Sequence, residues 1–167
     1  LHAAHGTVSL GPAEGLHALP AAPLNGAGSL IPCLPGSTGL PLRRWLVGAD
    51  FSAQALPIPD AHAANLRRMQ ALAPDMHAAW LAGAQRQAPA SLAHWQGQRC
   101  VSHDRMPLVG PLLAAPDAAL WISAGMGARG MAWAGVCAEW LASCISGDPW
   151  PLARALAAQV DSLRARR

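Results

Sequence analysis

The sequence contains no lysine; all 12 of its basic residues are arginine. Charged residues of both signs make up only 13% of the chain, and the formal net charge is +3. A balance that mild does not by itself argue for a nucleic-acid surface. The only dense basic cluster is RARR at residues 164–167, which reads as a solvated chain end. Cysteine is scarce too. Cys33, Cys100, Cys137 and Cys144 include no C-x-x-C pair, and no histidine stands beside them at ligand spacing, which argues against a zinc site. Nothing in them demands an oxidising compartment. Neither a secretory leader nor a membrane span is expected from the sequence. Glu139 interrupts the long apolar segment near the end, and Pro116 with Asp117 interrupts the run before it, so a cytoplasmic location is expected. His103 and Asp104 lack a serine or cysteine at a spacing that would complete a nucleophilic triad. The sequence begins with Leu1 rather than Met and begins mid-pattern, so it is expected to be a piece of something larger.

What is present excludes disorder. Apolar residues make up 52% of 167 residues, one domain's worth and enough for a core. The 15 prolines and 16 glycines predict many turns and short elements. GTVSL (6–10) reads as a short strand. GSLIPC (28–33) and RWLVGA (44–49), joined by the turn-rich LPGSTGLP, read as an antiparallel pair. Asp60 reads as the N-cap of a helix whose Leu66, Met69, Leu72 and Ala73 share one face, and Pro74 ends it. A second short helix carries Met76, Trp80 and Leu81. LAHWQGQRCV (92–101) and AALWIS (118–123) read as strands, with MPLVG (106–110) as a strand end or turn. The last long helix starts near Arg129 with Trp133, Cys137, Trp140, Leu141 and Cys144 in one apolar stripe, and Gly147 with Pro149 stops it. A short helix at 151–159 follows. Strands, then helices, then strands and one long helix make an α+β pattern, not an alternating βαβ one.

Two stretches carry chemistry. The first is LWISAGMGARGM, where Gly125, Gly127 and Gly130 have the spacing of a dinucleotide-binding fingerprint between a strand and a helix. The context is only half right. Such a fold needs another parallel strand after the helix and an acidic residue at its end, and about 20 residues remain after Gly147. The plain alternative is a tight strand-to-helix turn. Even so, a helix start with three glycines and Ala128 presents unpaired backbone N–H groups with little bulk, and can receive an anion or an oxygen on which negative charge develops. The second stretch is GQRCVSHDRMPLVG (97–110). Arg99 lies in an otherwise apolar strand and needs a partner: either an aspartate in a structural ion pair or the carboxylate of a substrate, which a planar guanidinium holds bidentately.

Together these stretches resemble a known family. RCVSHDRMPLVGPL is similar to the R-x-x-[ST]-x-D-x-x-P-x-[VI]-G segment of flavin-dependent amine oxidases related to D-amino-acid oxidase and glycine oxidase. GMGARGMAWAGVCAEWLASCISGDPWPL is similar to their final flavin-contacting turn and helix. Within that superfamily the resemblance is strongest to the oxidoreductase half of bifunctional enzymes of tRNA 5-methylaminomethyl-2-thiouridine biosynthesis: HGTVS matches their RGQVS, GSLIP their GYLIP, RWLVGADF their LLLGATF, and ALAAQVDSLRARR their AL-x-P-x-R ending. It covers nearly the whole sequence and is densest over 97–152.

The resemblance implies an α+β fold with an antiparallel or mixed sheet in a substrate domain, helices flanking it, over residues 1–105. Residues 106–167 would be the last strand and long helix of a flavin-binding domain whose N-terminal part, with the true ADP-binding fingerprint, is missing. It implies FAD as cofactor, bound weakly or not at all by this stretch alone. Gly125, Gly127, Ala128, Arg129, Gly130 and Met131 would contact the flavin and Arg99 the substrate, with no residue assigned as acid or base. The implied reaction removes a carboxymethyl group from 5-carboxymethylaminomethyl-(2-thio)uridine in tRNA, and S-adenosylmethionine belongs to an unseen methyltransferase half. The implied partners are tRNA and the missing FAD-binding segment, with no membrane. An oxidase of free glycine or a D-amino acid, or an inactive fragment serving as a binding module, are the alternatives. Three positions depart from the family pattern: His5 for Arg, Asp50 for Thr and Ser29 for an aromatic residue, all on the implied substrate side.

Overall fold

The buried face of the first strand is built from small and polar residues rather than large apolar ones. In β1 (His2–Pro12) alternate positions Thr7, Ser9 and Gly11 are buried. The computed structural model describes residues 1–34, 43–84, 92–113 and 120–166. Among these, β1 is followed by β2 (Leu24–Asn25), β3 (Ser29–Leu34), β4 (Arg44–Gly48), α1 (Ile58–Leu72), α2 (Pro74–Ala84), β5 (Ala93–Val101), β6 (Leu108–Pro111), β7 (Trp121–Ala124), a 3₁₀ turn (Gly127–Arg129), α3 (Gly130–Ser146), α4 (Arg154–Val160) and a 3₁₀ turn (Ser162–Arg166). The class is α+β, as the order of segments predicts. The joining segment LPGSTGLP and the start of AALWIS lie largely outside the described residues.

The chain divides into two compact units, one of His5–Gln98 and one of Leu1–Ala4 with Arg99–Arg167. In the first, a five-stranded sheet runs in the order β2-β3-β4-β1-β5. The pairings β1–β4, β2–β3 and β3–β4 are antiparallel, the last being the pair expected from the two apolar runs. Leu30, Trp45 and Val47 from the sheet meet Met69 of α1, Ala73 at its end and Met76 from α2 in one core. The predicted stripe of Leu66, Met69, Leu72 and Ala73 faces that core. Helix α1 starts two residues before Asp60, with Pro57 at the cap position. The carbonyl of Pro57 accepts Ala61 N–H at 3.0 Å, and Pro59 is tolerated in a first turn whose N–H groups have no helical partner. Asp60 is therefore an acidic first-turn residue, favourable beside the positive end of the helix, rather than its cap.

In the second unit, β6 and β7 pair antiparallel, with Val109 opposite Ser123. Val109, Cys137, Trp140, Ala157 and Val160 form the core, flanked by Trp133, Leu141 and Cys144. The predicted α3 stripe is thus the packed face, and Cys137 and Cys144 serve as small apolar residues whose thiols burial pushes up. Gly147, at φ 78°, ends α3 in the left-handed conformation, its N–H bonding Ser143 O at 2.9 Å.

One close approach fixes the packing of the first core. Gly11 lies opposite the fully buried Trp45 in the β1–β4 register, and a Cβ on Gly11 would stand 2.2 Å from Trp45 Cζ2. The indole also meets Trp80 edge-on, with ring centroids 5.9 Å apart, so it has little room to yield. Gly11→Ala is expected to destabilise the chain by about 1–3 kcal/mol, an overpacking cost that a urea or thermal unfolding curve will measure.

Candidate functional site

The glycine-rich stretch folds as a turn that only glycine tolerates easily. Strand β7 ends at Ala124. Gly125 (φ 73°) and Gly127 (φ 54°) then take left-handed backbone conformations before α3 begins at Gly130. Gly130 itself is helical at φ −54°. Arg129, at the cap position of α3, makes no side-chain capping hydrogen bond. Ala128 and Arg129 are exposed, and Met131 is 99% exposed. A surface-facing helix start of this kind can receive an oxygen bearing negative charge.

The structure brings the strand carrying Arg99 alongside this turn. Val101, at the end of β5, forms an antiparallel bridge with Met126. Its side chain faces the turn, with Cγ1 4.0 Å from where a Cβ on Gly127 would lie. Side chains alternate along a strand, so Arg99 shares the Val101 side of β5. Arg99 is half-buried and already has an interaction of its own. Of the residues singled out from the sequence, Gly125 to Met131 run continuously from the turn into the first two residues of α3, and Arg99 lies two residues along β5 from Val101, which bridges to that turn.

The C-terminal basic cluster does more than solvate a chain end. Arg164 grips Asp104 bidentately, with Nε to Oδ2 and Nη2 to Oδ1 both at 3.0 Å. It also donates to the carbonyls of Met106 (2.9 Å), Pro107 (2.8 Å) and Asp161 (3.0 Å). Those bonds, joined by the Met106 N–H, hold the Asp104 carboxyl well below the usual carboxylate range. Asp104 thus serves the 102–107 turn, in which Arg105 sits at φ 60° and its carbonyl accepts from Arg129 Nη2 at 3.5 Å.

Sequence reasoning missed a polar network in the His5–Gln98 unit. Buried Asp50 accepts Thr7 N–H at 2.8 Å. Fully buried Asn65 donates to Thr7 O (2.9 Å) and Ser9 Oγ (3.0 Å), and Ser9 Oγ shares a 2.7 Å hydrogen bond with His62 Nδ1. Gln96 donates to Thr7 Oγ1 at 3.0 Å. Asp50, one of the departures from the family pattern, therefore has a backbone partner in the fold. The available signal was Thr7 and Ser9 alternating within a strand, opposite polar Asn65 and His62 on a helix of otherwise apolar stripe. Among the described residues, no group of three or more His, Cys, Asp or Glu side chains could hold a metal ion. Nor is any helix of the described residues long and apolar enough to cross a membrane.

An α+β chain with a glycine turn opening a long helix, beside an arginine-bearing strand, has the features of a flavin-type oxidoreductase segment. The family model for FAD-dependent oxidoreductases (DAO) matches residues 5–144, and the chain belongs to that family. It is 42% identical over 164 residues to the tRNA 5-methylaminomethyl-2-thiouridine biosynthesis bifunctional protein MnmC of Polaromonas sp. (strain JS666), spanning 94% of this chain and 24% of that protein. It is 39% identical over 150 residues to the protein of the same name from Albidiferax ferrireducens, spanning 87% of this chain and 24% of the relative. The chain thus spans about a quarter of the length of the curated relatives it matches. Two solved structures share its fold at 17% identity. One is iminodiacetate oxidase from Chelativorans sp. BNC1 (TM-score 0.58, 95% of this chain and 39% of that one). The other is glycine oxidase from Geobacillus kaustophilus (TM-score 0.60, 92% and 37%). The family implies FAD, and the small-residue stretch at 125–131, left-handed at Gly125 and Gly127, fits the approach of a flat ring whose carbonyl oxygens take up negative charge on reduction.

Two outcomes follow. At Gly127 there is space for a methyl group but φ is 54°, so Gly127→Ala is expected to cost about 1–2 kcal/mol through backbone strain alone, read from chemical denaturation. Burial, and secondarily the neighbouring His94, holds the His62 pKa below its ordinary value of 6.5. The neutral ring's contribution to stability is then fully present above pH 6.5 and is lost as pH falls through the lowered folded value. Unfolding midpoints measured across that range should fall with acidification, and His62→Gln should flatten the dependence.

Proposed function

We propose that this chain is part of an FAD-dependent amine oxidoreductase acting on the carboxymethylaminomethyl group of a modified tRNA uridine. The full protein would carry a second half that methylates the product amine with S-adenosylmethionine. Residues 1–105 would belong mostly to the substrate domain, and 106–167 would supply the last strand and long helix of the flavin domain. Partners would be tRNA and the FAD-binding segment of the full protein, in the cytoplasm where tRNA is modified. The observation that carries the reading is the Val101–Met126 bridge, which lays the Arg99 strand against the glycine turn. Family membership and the similarity to MnmC proteins support the same reading.

Bound FAD would supply two-electron oxidation of the C–N bond beside the carboxylate. Hydrolysis of the resulting imine would give glyoxylate and the free aminomethyl base. The chain's own part is placement and charge. The Arg99 guanidinium would hold the carboxylate of the carboxymethyl group and so fix the carbon to be oxidised. The backbone N–H groups from Gly127 to Met131 would stabilise negative charge developing on a ring oxygen, with Arg129 nearby. Such a site needs no dedicated acid or base, and none of the residues beside the turn is assigned one.

Arg99→Ala in the full-length protein is expected to raise KM for tRNA carrying the carboxymethylaminomethyl group by about tenfold to a hundredfold, the loss of one charge-assisted carboxylate contact. Its flavin content should match wild type. Unchanged kinetics on that tRNA would refute the role of Arg99.

A further inference from the structure

The connection between β5 and β6 is not a free loop. Its exposed Asp104 and the backbone of Met106 are engaged from two sides. Arg164 supplies three nitrogens to Asp104 and to the carbonyls of Met106 and Pro107. From within the turn, Ser102 Oγ donates to Met106 O at 2.6 Å and Met106 N–H to Asp104 Oδ1 at 3.0 Å. The Arg164 side chain is only 17% exposed, although its sequence neighbourhood reads as a solvated tail. A guanidinium has five donors in a rigid fork, and here every nitrogen has an acceptor. The turn so fixed presents one carbonyl, that of Arg105, to Nη2 of Arg129 at 3.5 Å, and Arg129 is the residue at which the glycine turn passes into α3. The backbone of Arg105 is itself left-handed at φ 60°, a conformation a non-glycine residue keeps only when its surroundings impose it.

We infer that Arg164 is a positioning residue for the flavin-contacting turn: through Asp104 and the 102–107 turn it fixes the carbonyl of Arg105, which in turn orients Arg129 at the start of α3. The C-terminal segment is then a working part of the cofactor site through Arg164. The inference rests on the reading of residues 125–131 as a flavin contact. Arg164 suits the role because its partners are mostly main-chain oxygens, so it restrains backbone rather than one side chain. A lysine at 164 would keep the charge but satisfy fewer of those acceptors.

The test is FAD binding to the deflavinated full-length protein, followed by flavin fluorescence well below the melting temperature, with the melting temperature recorded for each variant. Arg164→Gln is expected to weaken FAD binding by roughly tenfold and to shift the visible spectrum of the bound flavin, as loosening of a supporting contact does. Arg164→Lys should fall between it and wild type. Asp104→Asn, which keeps the shape but weakens the grip, should act in the same direction and covers the case in which Arg164→Gln does not fold. In an Arg129→Gln background, Arg164→Gln should have little further effect, because the two act in series. A lowered melting temperature with wild-type FAD affinity and spectrum in all three single variants at 104 and 164 would overturn the inference and reduce Arg164 to a structural clamp. A wild-type full-length protein that takes up no FAD would overturn the flavin reading itself, and the inference with it.

Discussion

The structure around the candidate site depends on one backbone constraint: the chain must reverse from β7 into α3 within a few residues, through left-handed conformations at Gly125 and Gly127. Side chains at those positions would strain the backbone, and at Gly125 a Cβ would also stand 3.1 Å from Leu1 Cδ2. With the reversal in place, the apolar stripe of α3 lands on β6 and the closing helix. The bridge from Met126 to Val101 then sets the turn against β5. The glycines matter here for geometry. Their fingerprint-like spacing does not mark a complete nucleotide-binding fold, since α3 is followed by α4 and a 3₁₀ turn rather than by a parallel strand among the described residues.

Polar contacts divide the labour differently in the two units. In the His5–Gln98 unit, buried Thr7 and Ser9 of β1 are bonded by Asp50 and by Asn65 of α1, so β1 is held by hydrogen bonds on a face where apolar packing would be the default. In the other unit one arginine near the chain's end does comparable work for a surface turn. A carboxylate as exposed as Asp104 gains little from a single ion pair in water. The value of the contact lies in its bidentate geometry and in the carbonyls the same guanidinium gathers.

Much of this was legible in the sequence, and the reasons are specific. The α3 stripe from Trp133 to Cys144, and its stop at Gly147, follow from helical periodicity and from the left-handed preference of glycine. The β3–β4 pair follows from two apolar runs around a turn-rich segment. Where the sequence misled, local signals were outweighed by contacts distant along the chain. Asp60 has the chemistry of a cap, but two prolines allow the helix to begin earlier. The full length of β1 was hidden because its buried face is Thr7, Ser9 and Gly11, residues that do not alternate in hydrophobicity. RARR looked like a tail because the partner of Arg164 lies 60 residues away. The two densest stretches of the family resemblance centre on turns, 102–107 and 125–129, where particular residues are required, whereas HGTVS, GSLIP and RWLVG lie in strands β1, β3 and β4.

The most direct test of the account is anaerobic mixing of the full-length, FAD-loaded protein with tRNA bearing 5-carboxymethylaminomethyluridine, following the visible flavin absorbance. Bleaching by that tRNA, and none by the same tRNA lacking the carboxymethyl group, is the predicted result. An absorbance unmoved by the tRNA but bleached by free glycine would contradict it.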